Sequence, residues 1–500
     1  MKPRSASLSK TRFQSGLLCH RRLWLESYRR ELADPPGVAA RLRMAGGHEI
    51  GELARGYWPG GELVTVAPAR HARAVVVTDQ LLKDPAIPAV FEAAFEHDDI
   101  RVRADAVVRN GAGFDLVEVK SAGRVRPEHI TDVAVQLHVI EAAGLDVKRA
   151  FLMHLRREYV WHGGLHDPAR LFELTDVTGD ARAFADGIDA VLPAMKRAVA
   201  ADDEPDIAIG RHCRRPYRCP FHSHCWAGAP AHPPSELPRA GEALLAGLAA
   251  DGVESIDAIV PDTYELTMAQ ESVRRAVTTG RPQVKRRALS RALAAIAAPV
   301  THLDFETLAS PLPLYAGTSP HEVIPFQWSA HIEDAEGGVS HHEFLWTEPG
   351  DPRPAFLESL AAVLPASGSI VVYTGYEEQR LRDLARAFPA EAQPVLETFR
   401  ERVVDLHAIV RDHVYHPRFH GSFSLKRVAP ALLGKSPYED LTLTGGADAA
   451  AIYRRMVAKD CPATERDRID GSLRRYCEAD TRVLVELRAA LHDLARGGSA

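Results

Sequence analysis

Residues 114–120 read Phe-Asp-Leu-Val-Glu-Val-Lys, a short stretch in which apolar and polar side chains alternate. This alternation predicts a β-strand. Because strand side chains repeat every two residues, Glu118 and Lys120 fall on the same face. The pair is compatible with a catalytic carboxylate and its lysine, or with an exposed ion pair on the sheet surface.

The segments on either side add further polar groups to this strand. Residues 101–108 predict a neighbouring strand that carries Asp105, and residues 129–143 predict a helix with Gln136 near its middle. Two carboxylates on adjacent strands can hold a hard divalent cation. Such a cation lowers the pKa of bound water and stabilises charge on a phosphate, and a lysine nearby can orient the water.

Four cysteines frame the same N-terminal region. Five residues separate Cys213 from Cys219 and also Cys219 from Cys225, while Cys19 lies far upstream. Three close thiols and a distant one match an iron–sulfur cluster held by four cysteines, or a structural zinc ion that closes the domain. Several arginines between residues 211 and 218 suit thiolates that carry negative charge.

A second set of acidic residues lies in the C-terminal region. Asp304 and Glu306 share one face of the strand predicted at residues 300–307, and Glu377 follows the apolar strand predicted at residues 368–373. The helix near the C-terminus places Tyr476 and Asp480 one turn apart. Acids from three segments are what two-metal phosphodiester hydrolysis requires. Asp405, on the strand-like residues 402–406, competes with Glu377 as the fourth acid.

Length and composition limit the class of protein. A chain of 500 residues is too long for one ordinary core and predicts two or three domains. With 46% apolar and 26% charged residues, disordered, collagen-like and coiled-coil classes are excluded. The net charge of −6 excludes a surface that is basic all over, but it allows nucleic acid in a local groove.

Location is inferred from what the sequence lacks. No apolar run approaches the roughly 20 residues of a membrane span, so we expect no membrane partner. The N-terminal residues lack the apolar core of a secretory signal, and six cysteines do not make a disulfide scaffold. We therefore expect a cytoplasmic protein.

Three regions follow one another along the chain. Residues 1–230 alternate helical and strand-like patterns, residues 231–298 are predicted as a helical linker after a Pro-rich stretch, and residues 299–500 form a third region. Within the linker, residues 244–259 faintly resemble a helix-hairpin-helix element, but a plain helical spacer is the favoured interpretation.

The N-terminal motifs resemble a known family. Leu8-Ser-Lys10, the segment Cys-His-Arg-Arg-Leu-Trp-Leu at 19–25, Gly47-His48 and the Glu118-Val-Lys120 triplet, with Asp105, Gln136 and the distal cysteines, resemble the RecB-like PD-(D/E)XK nucleases with an iron–sulfur cluster. This group includes the CRISPR-associated adaptation nucleases and the AddB-type repair nucleases. Ile140 stands where the family's Q-x-x-x-Y motif has tyrosine, and the gap from Cys213 to Cys219 is longer than usual.

That resemblance implies a restriction-endonuclease-like fold and assigns roles to its residues. It implies that His48, Asp105 and Glu118 bind Mg²⁺ or Mn²⁺. It implies that Lys120 assists catalysis and that Gln136 belongs to the motif named above. It also implies a 4Fe–4S cluster on the four cysteines, with structural Zn²⁺ as the alternative.

The C-terminal motifs resemble the DEDD exonucleases of the ribonuclease H-like fold, in their tyrosine-bearing form. The resemblance implies that Asp304, Glu306, Glu377 and Asp480 bind metal and that Tyr476 positions the attacking water. Glu377 stands where the family has aspartate. The fusion of both modules resembles a bacterial family that carries the same combination.

We therefore expect an α/β protein with a restriction-endonuclease-like N-terminal domain, a helical linker and a ribonuclease H-like C-terminal domain. The expected function is that of a metal-dependent nuclease with two active sites, including a 3′–5′ exonuclease, acting on DNA in preference to RNA. The alternative is a nucleic-acid-binding or assembly protein in which one or both nuclease sites are degenerate.

Overall fold

The computed structural model describes residues 7–498 except 440 and 444, and leaves out the side chains at 39, 42, 43 and 45. The chain divides into two compact units. Unit 1 comprises Met1–Gly228 and Ser310–Glu322, and unit 2 comprises Ala229–Ala309 and Val323–Ala500. Each unit combines helices with a sheet, so the protein is of mixed α/β class.

Unit 1 is built on a seven-stranded sheet. Its strands are β1 (Leu8–Ser9), β2 (Glu62–Leu63), β3 (Ala89–His97), β4 (Ile100–Asn110), β5 (Gly113–Lys120), β6 (Val147–Leu155) and β7 (Phe172–Asp176). They lie in the order β2-β3-β4-β5-β6-β7, with β1 paired to β4. The strands predicted around Asp105 and Glu118 are confirmed as β4 and β5, which pair antiparallel.

Helices cover this sheet and connect its strands. They are α1 (Lys10–Leu18), α2 (His20–Tyr28), α3 (Val38–Arg55), α4 (His71–Lys83), α5 (Pro127–Ala142), α6 (Pro168–Leu171), α7 (Thr178–Ala185), α8 (Ile188–Ala200) and α9 (His222–Trp226). The apolar face of α5 packs on β3, β4, β5 and β6. Fully buried side chains such as Val133 and Leu137 join the main core of the unit there. Burial of that face holds Gln136 beside the carboxyl end of β5.

Unit 2 contains a five-stranded mixed sheet. Its strands, with a short separate pair, are β8 (Gln283–Val284), β9 (Val300–Ala309), β10 (Val323–Glu333), β11 (Val339–Leu345), β12 (Ser369–Val372), β13 (Val403–Asp405) and β14 (Val414–Tyr415). The five strands lie in the order β11-β10-β9-β12-β13, and β8 pairs with β14. β9, β10 and β11 are antiparallel neighbours, whereas β12 and β13 run parallel to β9.

Helices pack on both faces of the unit 2 sheet. They are α10 (Glu242–Ala250), α11 (Met268–Thr279), α12 (Arg286–Ala294), α13 (Arg353–Val363), α14 (Tyr376–Ala387), α15 (Pro389–Arg402), α16 (Leu406–His413), α17 (Leu425–Leu433), α18 (Gly446–Met456) and α19 (Ala463–Arg496). Leu303 and Phe305 of β9 face a core shared with α13, α14 and α15. α18 and α19 also pack against β9, so the alternate residues of this strand face a second layer of helix.

The predicted linker is not a separate domain. Residues 229–298 cluster with unit 2, because Leu248 and Ile256 lie in the same apolar core as Leu406 and Leu484. In the described residues, the favoured plain helical segment fits this stretch better than a helix-hairpin-helix element. After α10 the chain forms only a single 3₁₀ turn at Ile256–Ala258 before α11. Pro261 gives a physical reason, since the residue before a proline is disfavoured in a helix.

Two further observations concern the chain as a whole. Residues 310–322, expected inside the C-terminal domain, cluster instead with unit 1, where Leu312 joins an apolar cluster and Thr318 forms a bridge with Trp161. Within the described residues, no helix combines the length and the apolar character that crossing a membrane requires.

Candidate functional site

Three carboxylates converge in unit 2. Asp304, Glu306 and Asp480 each offer an oxygen, and these oxygens all lie within 4.8 Å of one another. The two β9 residues share a face because they are two positions apart, and Asp480 approaches from α19. The acids that the sequence placed in separate motifs are thus brought into one group.

Burial and mutual repulsion disfavour the ionised form of these acids. Burial, followed by the charges of Asp480, Glu306 and Glu377, raises the pKa of Asp304 well above its usual range. Burial and the charge of Asp480 raise the pKa of Glu306 to about 8. A group of acids arranged in this way ionises fully only when a cation balances it.

Glu377 is a fourth acid near this group, but it is not one of the three whose oxygens lie within 4.8 Å of one another. It lies in the first turn of α14 with 2% of its surface exposed, and burial raises its pKa to about 8. Its Oε2 accepts no hydrogen bond from the described part of the chain. Its charge contributes to the raised pKa of both Asp304 and Glu306, so its carboxylate lies near theirs.

Asp405, the competing candidate, has a structural task. Its Oδ1 accepts hydrogen bonds from the backbone N–H of Ala408 at 3.1 Å and of Thr374 at 3.2 Å, so it caps the N-terminus of α16. Of the two acids, Asp405 is engaged in capping a helix, whereas Glu377 has a buried oxygen that accepts no hydrogen bond from the described residues.

A lysine and two tyrosines complete this site. Lys426 Nζ donates to the Tyr476 hydroxyl at 3.0 Å, and the Tyr438 hydroxyl donates to Asp480 Oδ1 at 2.8 Å. Burial, with the charges of Asp480 and Glu306, raises the pKa of Tyr476, so its hydroxyl keeps its proton. Sequence reasoning missed Tyr438, since no local pattern distinguishes that tyrosine.

A buried polar contact fixes α19 against the sheet. Thr481 Oγ1 lies 2.8 Å from Ser329 Oγ and 2.9 Å from His331 Nδ1. Both partners belong to β10, and all three residues are nearly inaccessible to solvent. Because Thr481 follows Asp480 directly, these hydrogen bonds fix the position of Asp480 relative to β9.

In unit 1, Glu118 is surrounded by donors. Lys10 Nζ and Lys120 Nζ donate to its Oε1 at 2.9 and 2.6 Å, and Gln136 Nε2 donates to its Oε2 at 2.7 Å. Burial would raise the pKa of Glu118, but the two lysines hold it well below its usual range. The predicted grouping of Glu118, Lys120 and Gln136 is therefore present as a hydrogen-bonded cluster.

Asp132 is a member of this cluster that sequence reasoning missed. Both lysines form ion pairs with it, that with Lys10 at 3.4 Å. Asp132 lies one helical turn before Gln136 on α5, so the i,i+4 spacing was a usable signal. Lys10 was noted only within its motif.

Asp105 lines a cavity that Glu118 does not reach. With His48 and Lys120 it lines a cavity of about 450 Å³, whereas Glu118 does not line that cavity. Burial and the charge of Glu118 raise the pKa of Asp105 to about 8, and its Oδ2 accepts from Val119 N at 2.7 Å. Among the described residues, His48, Asp105 and Glu118 do not form a group within 4.8 Å, because the lysines and Gln136 engage the Glu118 carboxylate.

Glu92 also lines this cavity, although the sequence analysis did not predict it. It lies on β3 opposite Asp105 of β4, a pair absent from the otherwise continuous β3–β4 ladder, and its φ of 54° lies in the left-handed region. A non-glycine residue held in this conformation is often found at a functional site. His48 lies on α3 with an exposed side chain.

The four cysteines line one small cavity. Cys19 lies between α1 and α2, and Cys225 lies in α9; Cys219 N donates to Cys213 O at 2.9 Å. The described cysteines are all free thiols. Arg21 and Arg22 line the same cavity, so positive charge is available to balance thiolates.

Comparison with known proteins gives a partial match. Residues 301–424 match the model of a family described as "Domain of unknown function (DUF2779)". This stretch includes Asp304, Glu306 and Glu377 but ends before Tyr476 and Asp480. No curated protein matches the chain.

Proposed function

We propose that the protein is a metal-dependent nuclease with two active sites, one in each unit, that hydrolyses phosphodiester bonds of DNA. The observation that carries this proposal is the convergence of Asp304, Glu306 and Asp480 within 4.8 Å in a buried position. Buried acids of like charge do not stabilise one another, since each raises the free-energy cost of ionising its neighbours. A cation removes that cost.

The unit 2 site is proposed to be a DEDD-type exonuclease site on a ribonuclease H-like fold. Three antiparallel strands followed by two parallel ones support that fold. Divalent cations held by Asp304, Glu306, Asp480 and Glu377 would activate water and stabilise the leaving oxygen. The Tyr476 hydroxyl, which accepts from Lys426, keeps its own proton and hydrogen-bonds Asp480, would position the attacking water beside the cations.

The unit 1 site is proposed to be a PD-(D/E)XK nuclease site on a restriction-endonuclease-like fold. Asp105, His48 and Glu92 around the cavity supply oxygen and imidazole donors of the kind that Mg²⁺ and Mn²⁺ accept. Lys120, charged and held beside Glu118, reaches the same cavity and would orient water or the phosphate. Gln136 keeps the Glu118 carboxylate in place.

The cysteines are proposed to hold a 4Fe–4S cluster. In a tetrahedral zinc site with Zn–S bonds of about 2.3 Å, neighbouring sulfurs lie only about 3.8 Å apart. Among the described residues, no group of three ligand atoms within 4.8 Å includes a cysteine. Thiolates that bind separate irons of a cluster lie farther apart than zinc ligands, and the single cavity lined by all four cysteines supports such a cluster.

The test is cleavage of labelled single- and double-stranded DNA by the full chain, with Mg²⁺, Mn²⁺ or EDTA. We expect metal-dependent products, and we expect Asp304→Ala and Lys120→Ala each to remove a different part of the product pattern. Matched controls are Asp467→Ala, an exposed position on α19, and Lys83→Ala, an exposed lysine paired with Asp79. Both should cleave like the unmodified protein.

Other outcomes are informative. Identical product patterns for the two variants would mean that only one site works. DNA binding without hydrolysis, unchanged by EDTA and weakened steeply by salt, would favour a binding protein with degenerate sites. RNA products without DNA products would show that the substrate is RNA and not DNA.

A further inference from the structure

Two histidines and a glutamate of unit 2 form a cluster separate from the acids described above. Atoms of His232, Glu236 and His420 all lie within 4.8 Å of one another. His232 Nδ1 lies 3.0 Å from Glu236 Oε2, and His420 Nδ1 lies 3.1 Å from Glu236 Oε1. The two imidazole rings stack with centroids 4.9 Å apart and planes 14° apart, so both face one carboxylate.

The backbone around His232 and Glu236 is fixed. The carbonyl of His232 accepts from Ile256 N at 2.8 Å and from Ser255 Oγ at 3.3 Å. Glu236 ends the 3₁₀ turn Pro234–Glu236, and only 6% of its side chain is exposed. The glutamate therefore points at the histidines from a buried and pre-set position.

The segment that brings His420 to the cluster holds a left-handed conformation at two successive residues. His420 has φ 49° and Gly421 has φ 71°. A Cβ on Gly421 would lie 2.7 Å from the Glu236 carbonyl oxygen, so only glycine allows this approach. A strained residue persists only where the surrounding structure fixes it, so the fold holds these two segments in contact.

We propose that His232, Glu236 and His420 form a zinc site. Imidazole nitrogen and carboxylate oxygen are the ligands that zinc accepts at about 2.0–2.2 Å, and two histidines with one glutamate make a known three-residue set. The two imidazole nitrogens lie 3.0 and 3.1 Å from the two oxygens of one carboxylate, and one ligand atom of each residue lies within 4.8 Å of the others, so small shifts would bring all three onto one ion. The side chain of His420 is 38% exposed, which leaves a fourth position open to water or a ligand.

The ion would join the start of unit 2 to the turn before α17. Glu236 and His420 are 184 residues apart in the chain. Lys426, which donates to Tyr476, lies six residues after His420 on α17. Zinc at this place would fix the segment that positions Lys426 without entering the acid cluster itself.

The test is zinc uptake by the full chain after EDTA treatment and dialysis, measured against a chromophoric chelator with excess Mg²⁺ present. We expect His232→Ala and His420→Gln each to lose one zinc per chain, or to weaken that site at least about 100-fold. His342→Ala, an exposed histidine of β11 that contacts Ser340, is the matched control and should retain the full zinc content.

Cobalt substitution identifies the ligands. The visible absorption lost in the variants should be that of a nitrogen–oxygen site, without the sulfur-to-cobalt charge-transfer band that a cysteine site would give. Glu236→Gln, which keeps the shape of the side chain, repeats the measurement should either histidine variant lose its circular-dichroism signal. Equal zinc content and affinity in the folded variants and the control would overturn the proposal and leave a hydrogen-bonded cluster.

Discussion

Replacing Glu306 by glutamine is expected to stabilise the metal-free protein at neutral pH while removing the unit 2 activity. The reason is electrostatic. Glu306 is 5% exposed, and burial with the charge of Asp480 raises its pKa from an ordinary 4.5 to about 8. Between these two values the folded protein holds a proton that the unfolded chain releases, so stability falls as pH rises from about 4.5 to about 8. A neutral amide does not suffer this loss.

The size of the effect follows from the same shift. Each pKa unit corresponds to about 1.4 kcal/mol, and at pH 7 about 2.5 units of the interval have been crossed. Glu306→Gln should therefore raise the free energy of unfolding by about 3 kcal/mol at pH 7. For a unit of this size the gain corresponds to about 6–12 °C in the thermal midpoint. At pH 4.5 the gain should nearly vanish.

The assay is thermal unfolding in EDTA from pH 4.5 to 8, followed by circular dichroism. Glu348→Gln, an exposed position, serves as the control and should not move the midpoint. Mg²⁺ should stabilise the unmodified protein and have a smaller effect on Glu306→Gln, because binding to the native state adds stability. A variant whose midpoint in EDTA at pH 7 equals or falls below that of the unmodified protein would refute this account of the acid cluster.

Three further predictions concern the other groups. Lys120→Met should destabilise unit 1 by about 3 kcal/mol in urea unfolding, because it leaves two buried carboxylates beside a single lysine. The control Lys83→Met should not change the stability. A Lys120→Met variant as stable as the unmodified protein would contradict the role given to this cluster. Cys219→Ser should abolish the brown absorbance and iron content of anaerobically purified protein, and retained iron would remove this cysteine from the ligand set. Lys426→Met and Tyr476→Phe should each lower kcat of the unit 2 activity about 10- to 100-fold with little change in KM. Their double variant should be no worse than either one, since the two act as a unit; additive losses would separate them.

Local sequence patterns were sufficient to predict the strands and their polar faces. The alternation around Glu118 and around Asp304 is visible in sequence because one face of each strand must be buried and the other must not. The pairing of Tyr476 with Asp480 was equally accessible, since both lie on one face of α19. These properties depend on residues close together in the chain, so they can be predicted from local sequence.

Long-range partners were not accessible in the same way. Lys10 reaches Glu118 across 108 residues, and Tyr438 reaches Asp480 across 42. Neither residue belongs to a periodic pattern that points at its partner. The leucines of α10 showed helix spacing, but spacing does not say which core a helix joins, and so the linker was wrongly separated from unit 2.

The two candidate sites balance their negative charge by different means, and this difference predicts how each binds a cation. In unit 1, Lys10 and Lys120 already neutralise Glu118, so a cation must compete with fixed ammonium groups for that carboxylate. In unit 2, the charge of Lys426 lowers the pKa of Glu306 and Asp480, but burial raises both and Asp480 and Glu377 raise that of Glu306 further, so protons supply the remaining balance. A cation entering unit 2 displaces protons rather than lysines, and its affinity must therefore rise with pH up to about 8, where Glu306 ionises on its own.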